Sequence, residues 1–415
     1  MDEITGKVRM MYERYPYPGY GVPSLGSLNH DLETVWFDIA LRTDSLDHKR
    51  VLDVGCGTGD KSVGCAMLYP EVTITAVDVS RESLRKARAL GEEHGCKNVT
   101  FLEKDIMSLQ EMEGSYDIIV AMGVVMLLSD PPEGLEAIAS RLADDGVLSL
   151  YLYAEDGRRP VTSIQSIING ICPDRTDFDD RIATAKVLLE DLRRNPKFRG
   201  FLDDRQYSSD SFRGLHSDAI KARFVDQIVH VNERTYTVNS MIDLLDSAGL
   251  EFVDMIDRDE WCVEDYLTSP ELVSRVNGLE PPERYAVVEH LKASFNEYRF
   301  VARKKGSKKR ITPDGIRPDS VPHLFRSAKV FSHALLHKDI RSFEPRIIGF
   351  TNRETRYWLN DDLWSLLGLI DGRSSVSEIA DRAIKRLGSA ISPDEVVTVI
   401  EDLRSKRIVY TTPHP

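Results

Sequence analysis

The sequence predicts an α/β protein: a doubly wound, seven-stranded, mostly parallel sheet with a helical insertion and a small C-terminal domain. Three observations predict it. From Lys49 to about Lys304, short β-branched runs alternate with longer stretches of helical period, the pattern of parallel strands joined by crossover helices. A glycine-rich turn, Gly55 to Gly59, stands between the first strand and the first crossover helix. Beyond Arg310 the alternation gives way to an extended pair, three helices and a last strand.

The first five strands are read at Arg50 to Val54, Thr73 to Asp78, Val99 to Glu103, Tyr116 to Met122 and Gly146 to Tyr153. Between them, Asp60 to Tyr69, Ser80 to His94 and Pro132 to Leu142 carry apolar residues three and four apart, and Ser80 is placed to cap the second of these helices. From Glu155 to Asp246 the alternation stops in a polar, Asp- and Arg-rich segment of helical period, read as an insertion. Strand signals return at Leu250 to Ile256 and Tyr298 to Ala302 and are expected to close the sheet as an antiparallel pair. KKGSKKR, Lys304 to Arg310, has five basic residues in seven and reads as a solvated boundary, so residues 305–344 are expected to be linker. The C-terminal domain, residues 345–415, pairs Arg346 to Thr351 with Thr355 to Leu359. Helices at Asp361 to Ile370, Ser375 to Leu387 and Ser392 to Arg404 follow, the last two opened by S-x-x-E boxes, and then a strand at Ile408 to Thr411. A winged-helix-like module fits this order.

Composition narrows the functional classes. The chain has 415 residues, 41% hydrophobic and 29% charged, which is ordinary for globular domains and excludes collagen-like and low-complexity readings. No run of about 18 apolar residues occurs, and the start lacks a signal-peptide h-region, so a cytosolic protein with no membrane contact is expected. The five cysteines show no C-x-x-C spacing, so neither structural zinc nor a disulfide framework is expected. With 54 Lys and Arg against 67 Asp and Glu, the net charge of −13 opposes binding to a phosphate backbone, and no nucleic-acid partner is expected.

The chemistry sits in VLDVGCGTGD, Val51 to Asp60. Asp53, Gly55, Cys56, Gly57 and Gly59 lie between a strand and a helix N-terminus, where missing Cβ atoms let a ligand lie against the backbone and free N–H groups face it. The spacing D-x-G-x-G-x-G differs from the G-x-G-x-x-G that wraps a dinucleotide. Asp78, 25 residues after Asp53 and followed by Val79, is placed to accept from both ribose hydroxyls. Asp105 can accept from an adenine amine, with Ile106 packed on the ring. Acidic residues at three successive strand ends define a pocket for an adenosine-bearing cation.

In these residues the sequence resembles the class I S-adenosylmethionine-dependent methyltransferases, over residues 49–304 for the fold and most specifically in Asp53 to Gly59 plus Asp78. The resemblance implies S-adenosyl-L-methionine as cofactor and places Asp53 near its methionine amino group. YDIIVAMGVVMLLSDPPEGL, with Met122 ending strand four, is similar to the family pattern but has Met126 and Leu127 where histidines are common, so no base is assigned there.

Two segments compete for the acceptor. Tyr12 to Gly21 holds four tyrosines and two prolines, and Tyr12 and Tyr17 are read either as a lid over the cofactor or as a staple for the N-terminal segment, residues 1–48. Related bacterial methyltransferases carry a similar YxxYPYP segment. In the insertion, His230, Arg234 and Tyr236 resemble an LHSQDRAY-like element of bacterial and plant methyltransferases, Glu233 replacing its Asp. They are read either as the catalytic group, with His230 as base and Arg234 orienting an anionic acceptor, or as a network bracing the insertion. Residues 351–380 resemble winged-helix segments of bacterial regulatory-domain methyltransferases and PqqD-type peptide-binding modules, with Trp358, Trp364 and Leu367 lining either a groove or a core. The acids Asp394, Glu395, Glu401 and Asp402 against Arg404 disfavour DNA there. The expected activity is methyl transfer to a peptide or protein side chain by a monomer or homodimer; transfer to a small metabolite and a non-catalytic cofactor sensor are the alternatives.

Overall fold

A computed structural model describes residues 2–19, 48–198, 217–256, 258–307, 316–324, 346–349, 356–359, 366–387, 392–405 and 409–412. Expectations on residues 20–47 and on Trp364 lie outside the described residues. The chain divides into two units, Met1–Gly21 with His48–Ala66 and Val72–Lys308, and Val22–Asp47 with Met67–Glu71 and Lys309–Pro415.

The first unit opens with helix α1 (Glu3–Arg14), whose N-cap Asp2 accepts from the Thr5 amide at 3.0 Å. Then β1 (Arg50–Val54), α2 (Asp60–Leu68), β2 (Thr73–Asp78), α3 (Arg81–Glu93), β3 (Val99–Glu103), β4 (Tyr116–Met122), α4 (Pro131–Ala139) and β5 (Leu142–Tyr153) alternate as expected. Ser80 caps α3, its hydroxyl accepting from the Ser83 amide. Strand β5 begins four residues earlier than its apolar run, through Leu142 to Asp145, because Leu142 already pairs with Tyr116 across a register shift in the β4 ladder.

After the insertion come β6 (Leu250–Met255), a pair of helices, and β7 (Glu297–Lys304). The seven strands lie in the order β3-β2-β1-β4-β5-β7-β6. The first five are parallel, and β7 runs antiparallel between β5 and β6. The order reverses at β1, so the ends of β1 and β4 open a crevice of the kind in which doubly wound sheets bind ligands.

The insertion builds a hydrophobic core of its own. Helices α5 (Glu155–Ile171), α6 (Phe178–Arg194) and α7 (Asp218–Ile228) bury Ile164, Ile168, Phe178 and Val225 together with Val8 and Met11 of α1 and Tyr15 at its C-cap. It ends before the expected Asp246: α8 (Val238–Ser247) buries Val238, Met241 and Leu245 in the core of the sheet, so it serves as the crossover into β6. Its Thr237 cap, reciprocated by Ser240, marks the change.

In the second unit, strand β8 (Val321–Leu324) falls inside the stretch expected to be linker and pairs antiparallel with the last strand, β11 (Val409–Thr412). Four residues, VPHL, with a proline among them, give little strand signal on their own, because proline donates nothing to a ladder. The expected pair forms as β9 (Arg346–Gly349) and β10 (Arg356–Leu359). The capping boxes of α11 (Val376–Leu387) and α12 (Pro393–Ser405) close as read, Ser375 with Glu378 and Ser392 with Glu395.

Candidate active site

The turn after β1 is built by positive-φ glycines. Gly55 (φ +72°) tucks under Val124 from the end of β4, and a Cβ there would come within 2.1 Å of Val124 Cγ1. At Gly57 (φ +54°) a Cβ would lie 2.4 Å from the Tyr17 carbonyl oxygen, so only glycine lets the N-terminal segment lie on the turn. That segment is pinned: the Thr58 amide donates to the Tyr17 carbonyl at 3.1 Å, and the Gly19 amide donates to Thr58 Oγ1 at 2.9 Å. The amides of Gly55 and Cys56 both donate to the Val77 carbonyl, tying the turn to β2. Cys56 is buried, and burial pushes its thiol well up, so it stays neutral.

Asp78 ends β2 half-buried and accepts from the Gly57 amide and the Ser80 amide, each at 2.8 Å, through different oxygens. Burial pushes its carboxyl up to about 6; the amides oppose this, and the charge of Asp53 adds to it. Asp53 is buried at the end of β1, accepts from the Ser62 hydroxyl and is likewise held above the carboxylate range by burial. Val79 and Met122 are half-buried beside these strand ends. Asp105 caps the turn after β3 through the Met107 amide at 3.1 Å, with Ile106 half-buried next to it.

These groups fit an adenosyl sulfonium ligand. The Asp78 carboxylate has accepting capacity beyond the amides it meets, and a cationic ligand relieves two carboxylates whose ionised forms burial disfavours. When bound, the cofactor would supply an electrophilic methyl group; by the family resemblance Asp78, Asp105 and Ile106 would hold its adenosine and Asp53 its methionine end.

The three insertion residues expected to act together have different surroundings. His230 is 2% exposed and lies with Tyr12 and Asp226: the Tyr12 hydroxyl donates to Asp226 Oδ1 at 2.7 Å and stands 3.4 Å from His230 Nε2. Burial lowers the His230 imidazole below its ordinary range although the Asp226 carboxylate pulls the other way, so the ring is neutral. Arg234 is exposed instead, its guanidinium donating to the Ser129 carbonyl at 2.8 Å and its amide to the Met126 carbonyl at 3.0 Å. It fastens this segment to the residues after β4. Tyr236 is buried in the sheet core, and its backbone bridges to Ala154, the amide donating to the Tyr153 carbonyl at 2.9 Å. Burial raises its phenol to about 12.

Asp226 is the group that sequence reading missed. Its only signal was an acid in an otherwise apolar turn of helix, FVDQIV, among residues already read as polar insertion. Tyr151 and Tyr153, at the end of β5, complete this wall; the Tyr151 ring lies beside Gly123 at the end of β4, and Arg158 stacks on Tyr153 at 3.7 Å. Tyr12 and Tyr17 are both half-buried and pack against the insertion core, stapling the N-terminal segment to it. Among the described residues no cluster of His, Cys, Asp and Glu forms a metal site, and no helix is long and apolar enough to cross a membrane.

Residues 45–166 match the family model of a methyltransferase domain. An uncharacterised protein of Synechococcus is 28% identical over 306 residues, 72% of each chain. The malonyl-[acyl-carrier protein] O-methyltransferase of Halalkalibacterium halodurans is 35% identical over 119 residues, 28% of this chain and 43% of that one, so this chain spans less than half of that relative. In fold, the chain is similar to PKMT2 from Rickettsia typhi in complex with AdoHcy, with a TM-score of 0.58 at 15% identity over 98% of this chain and 75% of that one. Residues 45–166 are thus a methyltransferase domain, and the sheet order and the acidic strand ends fit the S-adenosylmethionine-dependent class. Its cofactor is S-adenosylmethionine.

Proposed function

We propose that this protein is a methyltransferase that modifies a peptide or protein side chain. The observation that carries the reading is the extent of the shared fold. The likeness to the Rickettsia protein methyltransferase PKMT2 runs through 98% of this chain, insertion and C-terminal unit included. By contrast, the trans-aconitate 2-methyltransferase of Deinococcus radiodurans and the malonyl-[acyl-carrier protein] enzyme share only 107 and 119 residues with it, confined to about a quarter of the chain. The cofactor part is thus held in common with small-molecule enzymes, while the likeness in fold to PKMT2 extends beyond it, which supports the protein-acceptor reading.

In this reading the cofactor pocket and the Tyr12, Asp226 and His230 wall face each other across the crevice, and the methyl group moves in line from sulfur to the acceptor. Rate comes mainly from holding the reactants in one orientation away from water. The C-terminal unit is the winged-helix-like module read from the sequence and serves as substrate dock. The protein works in the cytosol, as a monomer or homodimer, without nucleic acid.

Incubation of the full-length protein with methyl-tritiated S-adenosylmethionine and a bacterial extract tests the reading. Label in the macromolecular fraction, lost when Asp78 is replaced by alanine, is expected. Label confined to molecules below about 3 kDa in size would return the small-metabolite alternative, and cofactor binding with no transfer to any fraction would return the sensor.

A further inference from the structure

We propose that Asp226, acting through the hydroxyl of Tyr12, is the proton acceptor of the methyl-acceptor site, and that the site serves an N–H or O–H nucleophile rather than a carboxylate. The inference rests on the methyltransferase reading above but not on the acceptor being a protein.

The argument begins at His230, the residue that sequence alone nominates as base. The Asn232 amide donates to its Nδ1 at 3.1 Å. A ring nitrogen that accepts is unprotonated, so the neutral imidazole carries its hydrogen on Nε2. Nε2 faces the Tyr12 oxygen at 3.4 Å. His230 therefore has no lone pair to offer: one nitrogen is occupied by a backbone donor, and the other is itself a donor. Tyr12 in turn gives its only hydrogen to Asp226 Oδ1 at 2.7 Å. The chain of donors runs His230 to Tyr12 to Asp226, and its basic end is the carboxylate.

Asp226 is suited to that end. It is 8% exposed, and its other oxygen accepts from Gln227 Nε2 at 3.0 Å, which fixes the carboxylate without neutralising it. The charged and titratable groups that bear on it or on Tyr12 are His230 from the same stretch of chain, Arg158 from α5, Tyr151 and Tyr153 from β5 and Asp78 from β2; Glu233 bears on His230 and Tyr153, and Glu297 from β7 on Tyr151. Burial outweighs the pull of His230 and Arg158, and the carboxyl is held above its ordinary range. A carboxylate so raised is a better base than a solvated one.

Tyr12 oxygen keeps one lone pair beyond its contact with His230. An acceptor X–H donates into it. The X–H bond breaks as a new O–H bond forms on Tyr12, and the original Tyr12 proton moves to Asp226 Oδ1. X retains the bonding pair needed to take up a methyl group, and Asp226 ends as a neutral acid. A carboxylate nucleophile has no such proton to lose and would meet a buried like charge. His230 is a positioning residue, holding the Tyr12 oxygen in place without changing protonation.

Three measurements on the full-length protein test this. Nitrogen-15 NMR of histidine-labelled protein, with His230 assigned by its absence in His230→Gln, should show the Nε2–H tautomer with or without S-adenosylhomocysteine; the Nδ1–H tautomer overturns the proposal. In the tritium assay, Asp226→Asn should lower transfer about 100-fold, the scale of general-base catalysis. Its melting temperature and its calorimetric affinity for S-adenosylhomocysteine should stay close to wild type. His230→Gln, which keeps a donor toward Tyr12, should lose less than about tenfold, since only a positioning contact is weakened; the reverse ranking sinks the idea. Should Asp226→Asn fail to fold, Tyr12→Phe breaks the same relay and is expected to show the same loss. Finally, whichever fraction carries label is treated with mild alkali: methyl esters release volatile methanol, whereas N-methyl and O-methyl ether products survive. Volatile label overturns the inference and leaves the proposed function standing. Stable label in small molecules alone leaves the inference standing and removes the protein acceptor.

Discussion

Arg158 and Glu233, 75 positions apart, meet as a two-pronged ion pair, with Nε on Oε1 and Nη2 on Oε2 both at 2.8 Å and both side chains 2% exposed. Gln165 adds a donor to Oε2 at 3.0 Å, and Arg158 also reaches the Gln227 side chain at 2.9 Å. The pair locks α5 to the stretch that carries His230, which makes Glu233 a brace for the acceptor wall rather than part of its chemistry. Breaking a buried pair strands a charge. Glu233→Gln and Arg158→Ala should each cost about 3–5 kcal/mol in urea unfolding. The double variant Arg158→Met with Glu233→Met should cost clearly less than the two single losses added, and full additivity would show that the two do not act as a pair.

Cofactor affinity should follow the ionisation of Asp78. Its folded-state carboxyl titrates near 6, above the ordinary 3.8, so the folded protein binds this proton more tightly than the unfolded chain does. Its contribution to stability is therefore full below about pH 4 and is lost as pH rises through 6. Ribose hydroxyls donate to the ionised form, which gives affinity the opposite trend: flat above pH 7 and about tenfold weaker per unit below 6. Calorimetry with S-adenosylhomocysteine from pH 5 to 8 checks the slope. In Asp78→Asn the slope should vanish, and a slope that persists would assign it to another group.

Gly57→Ala should loosen the N-terminal segment. The substitution puts a Cβ 2.4 Å from the Tyr17 carbonyl oxygen at a φ of +54°, so strain and collision act together. A loss of about 2 kcal/mol or more is expected, with faster tryptic cleavage after Arg14. Wild-type melting and cleavage rates in the variant would mean that the turn and the segment are not in contact in solution.

Arg181 offers a prediction of the opposite sign. It is fully buried on α6; Nη2 donates to Asn169 Oδ1 at 3.0 Å and to the Val229 carbonyl at 3.2 Å, but Nε and Nη1 have no partner among the described residues. A buried charge with unmet donors is expensive. Arg181→Met, similar in volume, should leave urea stability unchanged or raise it, despite losing two hydrogen bonds. A loss above about 2 kcal/mol would show that the two bonds outweigh the desolvation.

The sheet was legible because each strand is a short apolar run whose period changes at a turn residue, so β1 to β4 fall where alternation alone puts them. The positions of Asp53 and Asp78 near strand ends, and of Gly57 in the turn after β1, were legible for the same reason. The acceptor side was not. Tyr12 and Asp226 are 214 positions apart, and nothing in either neighbourhood encodes the other. His230, Arg234 and Tyr236 fall within one short stretch, where small changes of direction send one ring into the Tyr12 cluster, one exposed guanidinium to the Ser129 carbonyl and one phenol into the sheet core. The boundary at α8 was hidden because a crossover helix and an insertion helix share one period; only the core each side chain enters tells them apart.

The attachments of α1 and its following turn bear on where this protein can be cut. Glu13 accepts from the Arg81 and Glu82 amides at 2.8 and 3.1 Å, covering the first two amides of α3, while Tyr17 and Gly19 hold Thr58 and Tyr12 holds Asp226. A fragment trimmed to residues 45–166, the stretch recognisable by family, would leave the α3 amides and the Thr58 amide facing water and would lack both Tyr12 and Asp226. The recognisable catalytic module and the smallest autonomous folding unit are thus different objects. Transplanting this chain's cofactor domain into a chimera demands residues 2–19 as well, although they lie 30 positions upstream of the first strand and carry no part of the glycine motif.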